Sequence, residues 1–401
     1  FGGYSMKLMD EVMLQEKRMI ADRRYLHENP ELSNQEYHTT EFIRKRLQEF
    51  GVEIENLNLK TGVSALIRGK GNGKTICIRH DIDALPIQEQ TGLDFSSKNE
   101  GVSHSCGHDI HIVTALYSAK ILQQHKDELN GNVRIVFQPA EENVTGAKAV
   151  IAAGLMQKEP LNDIVVGLHT HPQTPVGKIC LKKGPMEAGN DYFKITVKGK
   201  CGHAAYPHNC VDPIVVSAYL ITSLQTIVSR ENMAVHPTVV TIASIHAGKT
   251  YNSIPGEVVM LGSMRSLYQD SREHNLEALR RITKSVCESM RAEGTVEIAD
   301  ASLPPITNDS QVVNDLIQVA DEMLGKGHVL EFEQPSMGSD DFSVFLNYSK
   351  GAQFFLGTAN ESVNSKLGLH NGKNIFDEKS LVTGVAVLTG YVMKSLRGGK
   401  L

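Results

Sequence analysis

The stretch Thr75-Ile76-Cys77-Ile78-Arg79-His80-Asp81-Ile82-Asp83 decides the architecture. Its apolar run at 75–79 reads as a buried strand, and imidazole and carboxylate follow at once. Two further runs share this grammar. Residues 133–137 lead through Gln138-Pro139-Ala140 into Glu141-Glu142, and 164–168 lead into His169-Thr170-His171. Helical patterns lie between and around them, at 11–28, 36–51, 110–125 and 147–155. Strands separated by helices require crossover connections, hence an α/β domain with a mainly parallel sheet and helices on both faces. In such a sheet ligands collect at the carboxyl ends of the strands, and here three such ends carry acid or imidazole.

Outward from this core the pattern changes after Gly184. Residues 191–198 alternate, with Phe193, Ile195 and Val197 on one face. A helix at 213–230, strands at 238–246 and 257–267, a helix at 272–293 and a strand at 295–299 follow. That β-α-β-β-α-β order is the ferredoxin-like split unit. It is expected as an α+β insertion at 187–300, interrupting a domain made of 1–186 and 301–401. After Pro304-Pro305 the helix–strand alternation resumes, with elements at 310–324, 329–333, 353–356 and 377–396.

A length of 401 residues suits two domains. Apolar residues at 41% and charged ones at 22% exclude a disordered chain. Forty-one basic side chains against 46 acidic ones give −5 without a basic stripe, which argues against nucleic acid as a partner. No apolar run approaches the ~20 residues of a membrane span. Six cysteines in a chain of this size are no disulfide framework, and a reducing cytoplasm is the expected compartment. The first five residues read as an artificial lead-in before a native start at Met6, with no signal peptide after it.

The chemistry concentrates in four places. Cys106-Gly107-His108 sets a thiol and an imidazole two apart on a tight turn, which glycine leaves free to bend. The dipole of the helix that follows favours thiolate, and thiolate with imidazole suits a divalent metal. In isolation the same residues would also fit a buried structural cysteine beside a capping Asp109, or a nucleophilic Cys–His pair. The adjacent Glu141 and Glu142 can divide labour, one on a metal and the other as general base for a water. His169 and His370 are each ambiguous alone; His171 is taken as the structural member of its pair, expected to face away from His169. Together the four clusters point to a metal site. There is no His-Glu-x-x-His, no Gly-x-Ser-x-Gly elbow and no phosphate loop.

These strings resemble the M20 metallopeptidase family, in particular its amidohydrolase branch of aminoacylase-like, hippurate and auxin-conjugate hydrolases. The resemblance rests on Asp81-Ile82-Asp83-Ala84-Leu85-Pro86, His104-Ser105-Cys106-Gly107-His108-Asp109, Phe137-Gln138-Pro139-Ala140-Glu141-Glu142 and Gly167-Leu168-His169. Gly202-His203-Ala204-Ala205-Tyr206-Pro207-His208, Asn252-Ser253-Ile254-Pro255, Gly262-Ser263-Met264-Arg265, Met337-Gly338-Ser339-Asp340-Asp341-Phe342 and Gly368-Leu369-His370 extend it over residues 20–395. It implies a catalytic α/β domain interrupted by a ferredoxin-like lid that dimerises. It implies Cys106, His108, Glu142, His169 and His370 as ligands of two divalent ions, with Cys106 bridging them where other M20 branches use aspartate. Zinc or manganese is expected, with cobalt or nickel as alternatives. Glu141 would be the general base and Asp83 would orient a ligand. His203 would steady the oxyanion in the neighbouring subunit's site of a homodimer, and Asn252 and Arg265 would lie near the substrate. Two departures stand out: the last motif lacks the family's proline between Leu369-His370 and Phe376, and Asp340 stands where glutamate is commoner.

The resulting expectation is hydrolysis of the amide bond of N-acyl amino acids, by a metal-held water that Glu141 deprotonates. Alternatives are a carboxypeptidase or dipeptidase of the same fold, an N-acetyl-diaminopimelate deacetylase, a Cys106-nucleophile hydrolase, or an inactive amino-acid-binding scaffold.

Overall fold

The computed structural model describes residues 2–363 and 366–397. By their contacts they form two compact units. The first comprises the chain up to Gly184, Asn308–Glu333 and the chain from Asp341; the second comprises Pro185–Thr307 and Gln334–Asp340. This division differs from the boundaries expected from sequence at 185–186, at 301–307 and at 334–340. In the last of these, Ser336 N donates to Met186 O and Ala188 N to Ser336 O, at 2.9 and 3.1 Å.

The first unit is built on an eight-stranded sheet. In spatial order its strands are Glu53–Glu55, Val63–Arg68, Asn130–Gln138, Lys70–Asp81, Ile164–Pro175, Lys350–Ala359, Ile179–Leu181 and Val329–Glu331. The four in the middle run parallel, while Val63–Arg68 and Glu53–Glu55 lie antiparallel on one flank. Alternation sends Ile76 and Ile78 into the main apolar cluster and Arg79 to the other face, 6.0 Å from the Phe342 ring. The first face is covered by helices His108–Gln124 and Ser380–Leu396, and the second by the short helices Gly146–Ala152 and Phe342–Phe345. His108–Gln124 is buried along nearly its whole length, so its apolar residues go all round rather than forming one stripe.

Residues 2–5, within the expected lead-in, open a helix that continues through Met13. Gly2–Met13 is helical, and Leu8 and Val12, one turn apart, are buried in the main cluster. Among the described residues no helix is long and apolar enough to cross a membrane.

The second unit has a four-stranded antiparallel sheet in the order Thr238–Ala247, Glu257–Ser266, Gly189–Lys198, Glu293–Ile298. Helices Pro213–Thr226 and Gln269–Ser289 pack on one face over Phe193, Ile195, Val197, Leu220, Leu224 and Leu279. This is the ferredoxin-like order. Asp212 starts the first helix by accepting from Ile214 N at 2.9 Å, with proline at the first helical position. A two-residue ribbon, Gly202–His203 against Ser253–Ile254, stands apart from the sheet.

Candidate metal centre

The parallel register places Asp81 beside Gln138 and His169 beside Phe355. Asp83, Glu141, Glu142 and His169 therefore leave the sheet at one edge. The turn before helix His108–Gln124 comes to the same edge. Gly107 holds a left-handed backbone there (φ +83°), and a Cβ on it would lie 2.7 Å from Thr170 Oγ1, so only glycine fits. Across the edge, Ala140 and Val144 also take positive φ, 54° and 63°. A β-branched residue in that region is uncommon and marks a loop whose shape is imposed by its surroundings. Part of the imposition is visible: Glu36 accepts from Ala140 N at 2.8 Å.

Cys106 Sγ and His169 Nε2 are 3.5 Å apart. His108 Nε2 stands 3.7 Å from Glu142 Oε1, and His370 Nε2 stands 3.3 Å from Glu142 Oε2. His370, itself at φ 61°, is fixed by its own N–H donating to Ser105 O at 3.1 Å. Asp83 ties the two sides together. Its carbonyl accepts from His108 Nδ1 at 2.9 Å, and its Oδ2 accepts from Ser33 Oγ at 2.6 Å and Glu142 N at 3.0 Å.

Potential ligand atoms gather in groups within 4.8 Å of one another: Cys106 with His108 and His169, Cys106 with Glu142 and His370, and His108 with Glu141 and Glu142. The first two groups share Cys106. His108 Nε2, Glu142 Oε1 and Asp83 Oδ1 are buried with no hydrogen-bond partner, which costs roughly 1–3 kcal/mol per group unless something fills the place. The charge balance points the same way. Burial alone would depress His108, yet Asp81, Asp83 and Glu142 raise it to about 10. Burial pushes the Cys106 thiol well up, reinforced by Glu142, Glu141 and Asp81. The helix dipole, expected from sequence to favour thiolate, is thus outweighed by burial and the carboxylates. A divalent cation among these donors would reverse that balance, and a thiolate, three imidazoles and a carboxylate fit such an ion.

Other sequence candidates are placed as follows. His171 was expected to face away from His169, but the strand persists to Pro175 and residues two apart share a face. What separates the two histidines is contact: His171 stacks on Phe355 at 4.7 Å and bonds Thr174 Oγ1 at 2.8 Å. In the second unit His203 and Asn252 are neighbours, since Ala204 N donates to Asn252 O at 3.0 Å. The exposed His203 ring accepts from Ala205 N through Nδ1 at 3.1 Å, so its ring hydrogen sits on Nε2. Arg265 is half-buried and donates to Ser339 Oγ at 3.1 Å and Met337 O at 3.3 Å.

Residues 77–394 match the sequence profile of Peptidase family M20/M25/M40. The chain belongs to this family. Among its relatives, thermostable carboxypeptidase 1 of Saccharolobus solfataricus is 38% identical over 94% of this chain and 95% of that protein. N-acetyl-L-cysteine deacetylase of Bacillus subtilis is 40% identical over 86% and 81%. The crystal structure of the Bacillus subtilis YXEP protein, described as a dinuclear metal binding peptidase from the M20 family, superposes with a TM-score of 0.82. It is 34% identical and covers 96% of this chain and 99% of that one. This M20 chain is accordingly a metal-dependent amidohydrolase with an α/β catalytic fold and a ferredoxin-like insertion.

Sequence reasoning on this M20 chain missed a second buried set beside the first. Asp109 pairs in charge with Arg23, whose Nε lies 2.7 Å away, and accepts from His27 Nδ1 at 2.8 Å, and His27 Nε2 donates to Glu89 at 3.1 Å. Arg23 and His27 lie on the helix Glu16–Glu28, and only the packing of that helix shows them buried. Asp81 was also passed over, though it stands within a motif that named the site, as was His111, two residues after another.

Proposed function

We propose that the chain hydrolyses the amide bond of N-acyl amino acids, releasing a carboxylic acid and a free amino acid. The observation that carries this reading is the convergence of buried, unpartnered His108 Nε2 and Glu142 Oε1 with Cys106 and His169, beside a second carboxylate, Glu141. In this reading Cys106, His108, Glu142, His169 and His370 hold two divalent cations, zinc or manganese in preference to cobalt or nickel, with Cys106 common to both positions. When bound, the cations supply Lewis-acid polarisation of the amide carbonyl and acidify a water. Glu141 takes a proton from the attacking water and returns it to the leaving nitrogen. Asp83 fixes His108 in the tautomer that keeps Nε2 free for an ion. His203 would steady the oxyanion in the neighbouring subunit's site, and Asn252 and Arg265 would lie near the substrate. The Nε2–H of His203 supports an oxyanion-donor role, because a neutral donor aimed at developing charge stabilises it.

We further propose that the second unit is a lid and the seat of a homodimer. Edge strand Thr238–Ala247 exposes Val239 and Ile245, and the neighbouring helix exposes Val215 and Tyr219, an apolar surface a second copy would cover. A reducing compartment, the cytoplasm, suits a chain whose cysteines are free and whose site needs a thiol.

A second reading, carboxypeptidase action, is favoured by the 38% identical carboxypeptidase relative. Amino-acid release from N-acetyl, N-benzoyl and indoleacetyl amino acids and from plain dipeptides separates the two, using metal-stripped protein with single-metal add-back. Metal-dependent release from acyl amino acids alone supports the first reading. Release from peptides alone replaces it with the second, and silence with every metal overturns both.

A further inference from the structure

We propose that His111 is a positioning residue of the metal centre, acting through Thr170 on His169 and Cys106; this rests on the ligand assignment proposed above. His111 is fully buried between two partners of opposite kind. The Asp81 carboxylate accepts from Nδ1, and Thr170 N–H donates to Nε2 at 2.9 Å. A carboxylate only accepts and a backbone N–H only donates, so the ring has one tautomer and one orientation. Asp81 is itself fixed by Arg79, whose Nη1 donates to Oδ2 at 3.1 Å. His111 thus carries a rigid anchor from the sheet to the peptide of Thr170.

The carbonyl and hydroxyl of Thr170 are then spent on the two ligands. Its N–H is held by His111, and its carbonyl accepts from His169 Nδ1 at 2.8 Å, which leaves Nε2 toward Cys106. Its hydroxyl donates to Cys106 O at 2.6 Å, and its side chain fills the space that a Cβ on Gly107 would need. The strand bearing His169 and the turn bearing Cys106 are therefore locked through one residue, and that residue is oriented by His111. His111 itself offers no free nitrogen to an ion.

The test compares His111→Asn with His111→Gln. Asparagine reaches Asp81 but not Thr170 N–H, whereas the longer glutamine carries its amide oxygen to the place of Nε2. The probe is Co(II) added to metal-stripped protein, read as affinity by chelator competition and as thiolate-to-cobalt absorption. Thermal unfolding of the metal-free proteins is followed in parallel; should His111→Asn not fold, Thr170→Val tests the next bond of the chain, the hydroxyl to Cys106 O, at nearly constant volume, and wild-type Co(II) affinity in it overturns the proposal. We expect His111→Asn to bind Co(II) at least about tenfold more weakly with a diminished thiolate band, and His111→Gln to remain within about threefold of wild type. Equal binding by wild type and His111→Asn overturns the proposal, as does an equal loss in both variants, which would mark His111 as a volume filler. A wild-type spectrum with no thiolate band, or one unchanged in Cys106→Ser, overturns the ligand assignment beneath it.

Discussion

His108 donates from Nδ1 to the backbone carbonyl of Asp83 at 2.9 Å, and this leaves its other ring nitrogen buried without a hydrogen-bond partner. The Asp83 carboxylate meanwhile holds Glu142 by its backbone N–H. One residue therefore orients groups on both sides of the site. Replacing Asp83 with alanine should weaken metal binding by about 10–100-fold. That variant keeps the carbonyl that holds His108 and removes the carboxylate that holds Glu142 N; chelator competition measures the loss, and unchanged affinity would show that Glu142 needs no such support.

Glu141 is buried next to Glu142 yet is assigned a proton-transfer role instead of a ligand's. Glu141→Gln keeps the shape and removes the base. Its metal content should equal wild type while kcat falls by roughly 10²–10⁴. Elemental analysis alongside the amino-acid release assay checks both halves, and retained turnover would move the base elsewhere.

Gly107 cannot become alanine without conflict. Its backbone is left-handed and the new Cβ would press on Thr170 Oγ1, Cγ2 and Cβ at 2.7–3.1 Å. Strain and displacement together should cost about 2–4 kcal/mol, and the Cys106 turn would shift with them. Urea unfolding of metal-free Gly107→Ala gives the stability term, and a wild-type midpoint would contradict it.

The buried set around His27 makes stability depend on acid. Burial pushes the Glu89 carboxyl up, but hydrogen bonds from His27, Thr91 and Ser97 N–H and the charge of His27 outweigh it and hold Glu89 at about 2, against 4.5 ordinarily. A depressed carboxyl stabilises fully above its unfolded value and loses that contribution as pH falls through the folded one. The wild-type advantage over Glu89→Gln, roughly 3 kcal/mol at most, should thus be full above pH 4.5 for as long as His27 stays protonated and fade towards pH 2. Denaturant unfolding across that range tests it; an advantage that does not change with pH would exclude Glu89 as its source.

The parallel strands were legible because each is a continuous apolar run with chemistry at one end. Glu53–Glu55 and Ile179–Leu181 were not, since three residues show no period and their pairing is decided by what the larger strands leave unpaired. The candidate ligands were readable as residue types at strand ends. Their arrangement was not: that Cys106 is common to two groups, or that Asp83 spans from His108 to Glu142, depends on how segments far apart in the chain come together, such as Cys106 with His169, 63 residues on, and with His370. The failure over His171 was of another kind. The strand was recognised but its alternation was misapplied, and only the contacts with Phe355 and Thr174 distinguish the two rings.

The interruption of the first unit also orders events during synthesis. Strand Lys350–Ala359 occupies an interior place in the large sheet, between Ile164–Pro175 and Ile179–Leu181, and helix Ser380–Leu396 covers one of its faces. Both leave the ribosome after every residue of the second unit, which is complete by Asp340. The inserted sheet can therefore close while the surrounding one still has a gap in its middle, its apolar face uncovered. The nascent chain carries a finished inner body on an unfinished outer one, and the waiting half of the molecule is the one in which chaperone dependence and truncation sensitivity should concentrate.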